Sequence, residues 1–331
     1  MLISKPHYFD SFRCIAQKCP DSCCKEWSVQ VDPASAAYYR SLPGALGDRL
    51  RQVLCQQDGE TVMTIENGRC PMWREDGLCR IQAELGEAAL CQVCTDFPRL
   101  RHDYGDFMEL GLELSCPEAA RIIFSTPFAP SIVDEIPGGE EPEYDTQAMA
   151  VLKSTRSTAL SLLQLQRPVS ERLALVLLYG YQAQAELDGE EALDFDPDAA
   201  LESAAAFAKS ADIRSVSEFF QTLEILTPGW LELLSKVSDT QLQDSCIPLV
   251  RYLIDRYWLQ AVSDYDLACR VKFFVISCLL VNALPGSFPE NAQLFSKEIE
   301  NNWDNVEAIL DAAYSSPVFT DDKLLGRLLR V

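Results

Sequence analysis

Four cysteines crowd into eleven residues, Cys14-Ile-Ala-Gln-Lys-Cys19-Pro-Asp-Ser-Cys23-Cys24. The stretch is too polar to be a buried helix or strand, so these thiols are not simply core hydrophobes. A short loop that turns several sulfurs toward one point is what thiolate ligation needs, and Pro20 and Ser22 suit such a loop. A second group follows: Cys70-Pro71-Met72-Trp73, Gly77-Leu78-Cys79-Arg80, Cys91-x-x-Cys94 and Cys116-Pro117. Ten of the 13 cysteines lie between Cys14 and Cys116. Cys246, Cys269 and Cys278 fall among apolar neighbours on helical segments and read as small hydrophobes. The chain holds only two histidines, His7 and His102, so any metal site is mainly sulfur. An all-thiolate site suits zinc and an iron–sulfur cluster equally on its chemistry.

The start, Met-Leu-Ile-Ser-Lys-Pro-His, lacks the basic and apolar regions of a secretory signal. No apolar run reaches the roughly 20 residues that span a bilayer. The longest, Phe273 to Val281, reads as a buried helix. A cytoplasmic, membrane-free protein is therefore expected, and reducing conditions turn a cysteine cluster toward metal or redox chemistry rather than disulfides. The 331 residues carry 28 basic and 50 acidic side chains, a net charge of −22. Residues 1–124 hold 13 basic and 18 acidic residues, the remainder 15 and 32. No basic patch stands out, so nucleic acid is not an expected partner. A lysine-presenting partner is attracted by this charge, which also keeps a protein soluble.

The expected architecture is mainly α. Residues 1–125 read as a small, irregular cysteine-rich module with short helices and a short β-hairpin, 126–144 as a linker, and 145–331 as an acidic all-helical domain. Asp32-Pro33 marks a helix start. Thr61 to Glu66 alternates as a strand ending in the turn signal Asn67-Gly68, with Phe107 to Leu114 as its expected partner. Pro117 opens a helix. Residues 126–144 are rich in proline, glycine and glutamate, as linkers are. Beyond them helical periods run near 148–165, 168–181, 198–209, 215–226, 241–262, 264–284 and 303–314.

Other chemistries lack their residues. There is no Gly-x-Gly-x-x-Gly, no phosphate-binding loop, no His-Glu-x-x-His and no Gly-x-Ser-x-Gly. Cys91-x-x-Cys94 has a redox-motif spacing without the βαβ pattern that accompanies it. Cys55 follows an expected helix end and reads as a packing residue. His7 is either a ligand near Cys14 or a polar loop residue, and His102, among Arg99, Arg101 and Asp103, reads as solvated.

The cysteine blocks carry a family resemblance. Phe12-Arg13-Cys14-Ile15 with Cys19-x-x-x-Cys23-Cys24 resembles the opening of the flagellin lysine N-methylase family. Gly68-x-Cys70-Pro71, Asp76-Gly77-Leu78-Cys79-Arg80-Ile81-Gln82, Cys94-x-x-Phe97-Pro98-Arg99 and Leu114-Ser115-Cys116-Pro117-Glu118-Ala119-Ala120-Arg121 are similar to its later blocks, in order, across residues 8–124. The pattern also resembles a broader cysteine-cluster family of zinc or iron chelators. The resemblance implies S-adenosylmethionine-dependent methylation of flagellin lysines. It further implies a four-iron, four-sulfur (4Fe-4S) cluster on cysteines drawn from Cys14, Cys19, Cys23, Cys24, Cys70, Cys79, Cys94 and Cys116. Cys55 and Cys91 fall outside that pattern. Asp96, Asp103, Tyr104 and Glu113 lie inside the matched region and are candidates to position the amine, with an ordinary surface role as the plainer reading. The competing function is a non-enzymatic zinc or iron module that docks a partner or senses redox state.

Overall fold

In the computed structural model, which describes residues 1–24, 29–57 and 59–330, the chain is mainly α-helical. Seven short strands are β1 (Leu2–Lys5), β2 (Val29–Gln30), β3 (Leu54–Gln57), β4 (Glu60–Met63), β5 (Arg99–Asp103), β6 (Phe107–Leu112) and β7 (Ile132–Glu135). The cysteine-rich part holds α1 (Pro33–Ser41), α2 (Gly44–Val53), α3 (Arg80–Leu85), α4 (Gln92–Asp96) and α5 (Pro117–Ser125). The rest holds α6 (Thr146–Leu162), α7 (Val169–Leu187), α8 (Pro197–Phe207), α9 (Ile213–Phe220), α10 (Pro228–Leu234), α11 (Cys246–Tyr257), α12 (Ala268–Ala283), α13 (Phe288–Phe295), α14 (Trp303–Ser315) and α15 (Asp321–Leu329).

Two small sheets frame the front half. One is antiparallel in the order β2-β4-β3. The other runs β5-β6-β1-β7, with β1 parallel to β6 and the remaining pairs antiparallel. Phe107 to Leu112 therefore pairs with β1 and β5, not with the 61–66 strand as expected. Of that strand's partners, β3 is its chain neighbour, and the short β3–β4 connection is the cheaper closure, while β2 pairs along the other edge. Within the stretch 126–144, Ile132–Glu135 adds an edge strand to β1, and the Met1 amino group donates to the carbonyls of Ile136 (2.9 Å) and Gly138 (2.8 Å).

Buried apolar side chains form two clusters. The smaller one gathers Val29, Tyr39, Leu50, Met63, Met72 and Ile81 with Cys70 and Cys91. The larger one surrounds α12 and reaches forward to Phe12, Phe107, Leu112, Leu114 and the buried face of α5. Every residue of α12 is buried, which explains why its sequence is apolar all round rather than striped. No helix is long and apolar enough to cross a membrane among the described residues.

Candidate metal centre

Local chemistry brings the thiols inward. Asp32 caps α1, accepting from Ser35 N at 2.9 Å, and its second oxygen accepts from Gln92 N at 3.0 Å. One carboxylate thus ties the starts of α1 and α4 together. These backbone donors, Gln92 first, hold its pKa down at about 2. Asn67 and Gly68 both adopt positive φ, +52° and +74°, closing a two-residue turn between Glu66 and Arg69. That turn presents Cys70, whose N–H donates to the Cys24 carbonyl at 2.8 Å. Gly77, at φ +79°, lets the next loop lie against the Gln17 backbone; a Cβ there would sit 3.3 Å from Gln17 Cα. Cys79, Cys91 and Cys116 each occupy the position just before a helix, α3, α4 and α5. Backbone N–H groups at these helix starts pull each thiol's pKa down, against burial that pushes it up.

Cys23, Cys24, Cys70, Cys79, Cys91 and Cys94 line one small cavity of about 30 Å³, walled by Val29, Tyr39, Met63, Met72, Ile81, Leu90 and Phe97. Tyr39 is fixed there by its hydroxyl, which donates to the Ala89 carbonyl at 2.6 Å. The thiols interact in pairs. The Cys23 thiol supports Cys24 as the anion, lowering the pKa of Cys24 and raising that of Cys23. Cys94 does the same for Cys91. Burial pushes Cys70 up to about 12 and also raises Cys79. Arg69, stacked 3.9 Å over Trp73, adds a cation beside Cys24.

Cys14, Cys19 and Cys116 form a neighbouring set outside that cavity. The thiols of Cys14 and Cys19 act electrostatically on Cys116, which burial holds at about 11. Cys19 donates to the Asp21 carbonyl at 2.6 Å, and Lys297 of the helical part pairs with Asp21 at 3.2 Å. Cys23 lies within reach of both sets, feeling Cys24 as well as Cys14 and Cys116. Among the described residues no three cysteine, histidine or carboxylate side chains are drawn together at metal-binding geometry. The donor chemistry nonetheless fits a thiophilic metal or cluster: six thiols share one apolar cavity, and two of them are already favoured as thiolates.

Cys91, outside the family pattern, lines the cavity with the matched thiols. The signal for it was the Cys91-x-x-Cys94 spacing at a helix start. Cys55 sits on β3 opposite Val62, apart from the cavity lining. Cys246 and Cys278 are core residues, the Cys278 thiol lying 3.5 Å from the Cys246 carbonyl. His102 is not solvated as expected: β5 packs against the helices, Nε2 is buried without a partner among the described residues, and burial lowers its pKa. Asp103 caps a turn, accepting from Gly105 N at 2.9 Å, and Tyr104 stacks on Phe107. Asp96 accepts from Gln92 Nε2 at 2.7 Å. Glu113 is not a surface group; burial raises its pKa, and Ser115 donates to it at 2.8 Å.

No family model matches the chain, and no solved structure does. Curated relatives do. The flagellar biosynthetic protein FliU of Salmonella muenchen is 32% identical over 134 residues, covering 38% of this chain and 79% of that protein. This chain belongs to the flagellin lysine N-methylase family. The lysine-N-methylases of Salmonella typhimurium (strain LT2) and Salmonella choleraesuis (strain SC-B67) are each 30% identical over 140 residues, 40% of this chain. The match spans 35% of the length of these two relatives.

Proposed function

We propose that this protein transfers methyl groups from S-adenosylmethionine to lysine side chains of flagellin, and that its cysteine module holds a 4Fe-4S cluster. The observation that carries the reading is the similarity to proteins named lysine-N-methylase and FliU, joined to a cavity lined by six thiols. In the transfer, the lone pair of a neutral lysine nitrogen attacks the sulfonium methyl carbon. The carbon–sulfur bond breaks, the sulfonium becomes a thioether, and the amine loses a proton to a base or to water. Alignment and loss of the ammonium proton are what a protein must supply. A bound cluster supplies a rigid anchor of fixed charge, replacing apolar packing that a small module lacks. The candidate ligands are Cys23, Cys24, Cys70, Cys79, Cys91 and Cys94 around the cavity, with Cys14, Cys19 and Cys116 beside it.

The test pairs composition with transfer. Protein purified without oxygen is expected to be brown, to contain iron and sulfide, and to move label from S-adenosylmethionine onto flagellin lysines. A colourless zinc protein removes the cluster from the proposal. Absence of labelled lysine, with the metal site loaded and the cognate flagellin present, rejects the transferase reading in favour of a metal-binding partner module.

A further inference from the structure

One edge of the four-stranded sheet is β7, which pairs with β1 on its inner side and with no strand on its outer side among the described residues. The register shows which backbone groups are spare. The Ile136 N–H donates to the Met1 carbonyl at 3.0 Å, and the Met1 amino group donates back at 2.9 Å, so these two residues form a hydrogen-bonded pair. Antiparallel ladders alternate. Ile3–Asp134 and Lys5–Ile132 therefore bond in the same way, while Leu2–Glu135 and Ser4–Val133 do not. The N–H and C=O groups of Val133 and Glu135 accordingly point away from the sheet. All four residues of β7 are exposed. Pro130 and Pro137 bracket the strand and confine the open edge to this stretch.

Each face of this edge mixes aliphatic and acidic side chains. Residues opposite one another share a face, so Val133 and Glu135 stand with Leu2, and Ile132, Asp134 and Ile136 stand together on the other. Leu2, Ile132, Val133 and Ile136 are all exposed, Val133 by 59%. Acidic charge continues beyond the strand in Glu140, Glu141 and Glu143. Among the described residues no cation pairs with Glu135 or with these three, and Asp134 has only Lys5, which it shares with Asp10. Such an edge repels a second copy of a chain whose net charge is −22 and attracts an extended cationic segment.

We propose that β7 is a docking edge, to which an extended, lysine-bearing segment of a partner protein adds as a further strand. Main-chain bonds to Val133 and Glu135 hold the segment, its lysines meet Asp134 and Glu135, and its aliphatic side chains cover Ile132 and Val133. The basic character of the partner follows from charge; that this partner is the methylated substrate rests on the methyltransferase reading.

The test needs no turnover. Full-length protein is titrated by fluorescence anisotropy with a labelled octapeptide alternating lysine and valine, and with the same octapeptide N-methylated at every residue. The two probes carry equal charge, but the second cannot pair with a strand. Wild type is expected to bind the first about tenfold more tightly. Val133→Pro deletes one outward N–H and leaves the bonds to β1 in place, so it is expected to erase that preference with circular dichroism unchanged. Glu135→Lys keeps the backbone and reverses one exposed charge; it is expected to weaken binding several-fold, and it reports the edge even where the proline variant unfolds. Equal affinity of wild type for the two probes shows charge acting alone and overturns the proposal, as does a preference undiminished in folded Val133→Pro. Strand-dependent binding of the octapeptide without label transfer to flagellin rejects the transferase reading alone. Label transfer undiminished in folded Val133→Pro rejects this docking edge and leaves that reading standing.

Discussion

Cys91 shows how a single side chain is judged by its surroundings. By spacing it is half of a Cys-x-x-Cys pair; in the fold it precedes α4 and faces Cys94 and the other cavity thiols. Cys91→Ser is therefore expected to lower bound metal per chain, by elemental analysis, whereas Cys55→Ser leaves it unchanged. Equal loading of the two variants would falsify the role given to Cys91. Arg156 is the opposite case, a charge whose place only the fold shows. Its side chain is 17% exposed and that of Glu109 is 13% exposed. Arg156→Leu strips the partner from a buried carboxylate, and the expected cost is about 3–5 kcal/mol in urea unfolding. A loss under about 1 kcal/mol would mean that Glu109 finds water or another cation instead.

Two junctions between elements turn on single residues, Asp32 and Gly180. Asp32 ties α1 to α4, and its pKa is depressed. A depressed carboxylate contributes stability that is present above its unfolded value near 3.9 and lost as pH falls through the folded value near 2. Near-ultraviolet circular dichroism of the cysteine module is expected to decay between about pH 4 and about 2. Asp32→Ala should begin about 1 kcal/mol less stable, from the lost cap, with a flatter acid limb. A second contact is the crossing of α7 and α12 at Gly180. A Cβ at Gly180 would lie 2.7 Å from Val271 Cγ1 and within 2.9 Å of its other side-chain carbons. Neither helix has room to yield, since both faces are buried, so Gly180→Ala is expected to cost about 1–3 kcal/mol by chemical denaturation. An unchanged midpoint would show that the helices separate freely.

At the scale of the molecule, two cores of unequal size share one chain. The smaller is built on residues 29–91 and includes thiols among its own buried members; the larger reaches from Phe12 to Leu328. A core that small is weak without a staple. Chelation or acid stripping is therefore expected to expose the module's thiols to alkylation while far-ultraviolet helicity largely persists. Loss of both signals in one transition would show that the cores unfold together. Much of this organisation was legible in the sequence. Clustered cysteines, Asp32-Pro33, Asn67-Gly68 and the apolar run Phe273–Val281 act through local geometry and composition, and each marks the element it forms. The strand partners of β6, the burial of His102 and Glu113, and the seam that gathers Tyr8, Arg156 and Asp255 were not legible. Apart from β5, which pairs with β6 across a short hairpin, these depend on distant segments meeting in space, and no local spacing records such a meeting. A thiol-rich segment followed by a helical body can be read along the chain, because ligand spacing and helical period are properties of neighbours in sequence. Which thiols share a cavity and which charges are buried together follows from the fold, because desolvation and pairing are properties of neighbours in space.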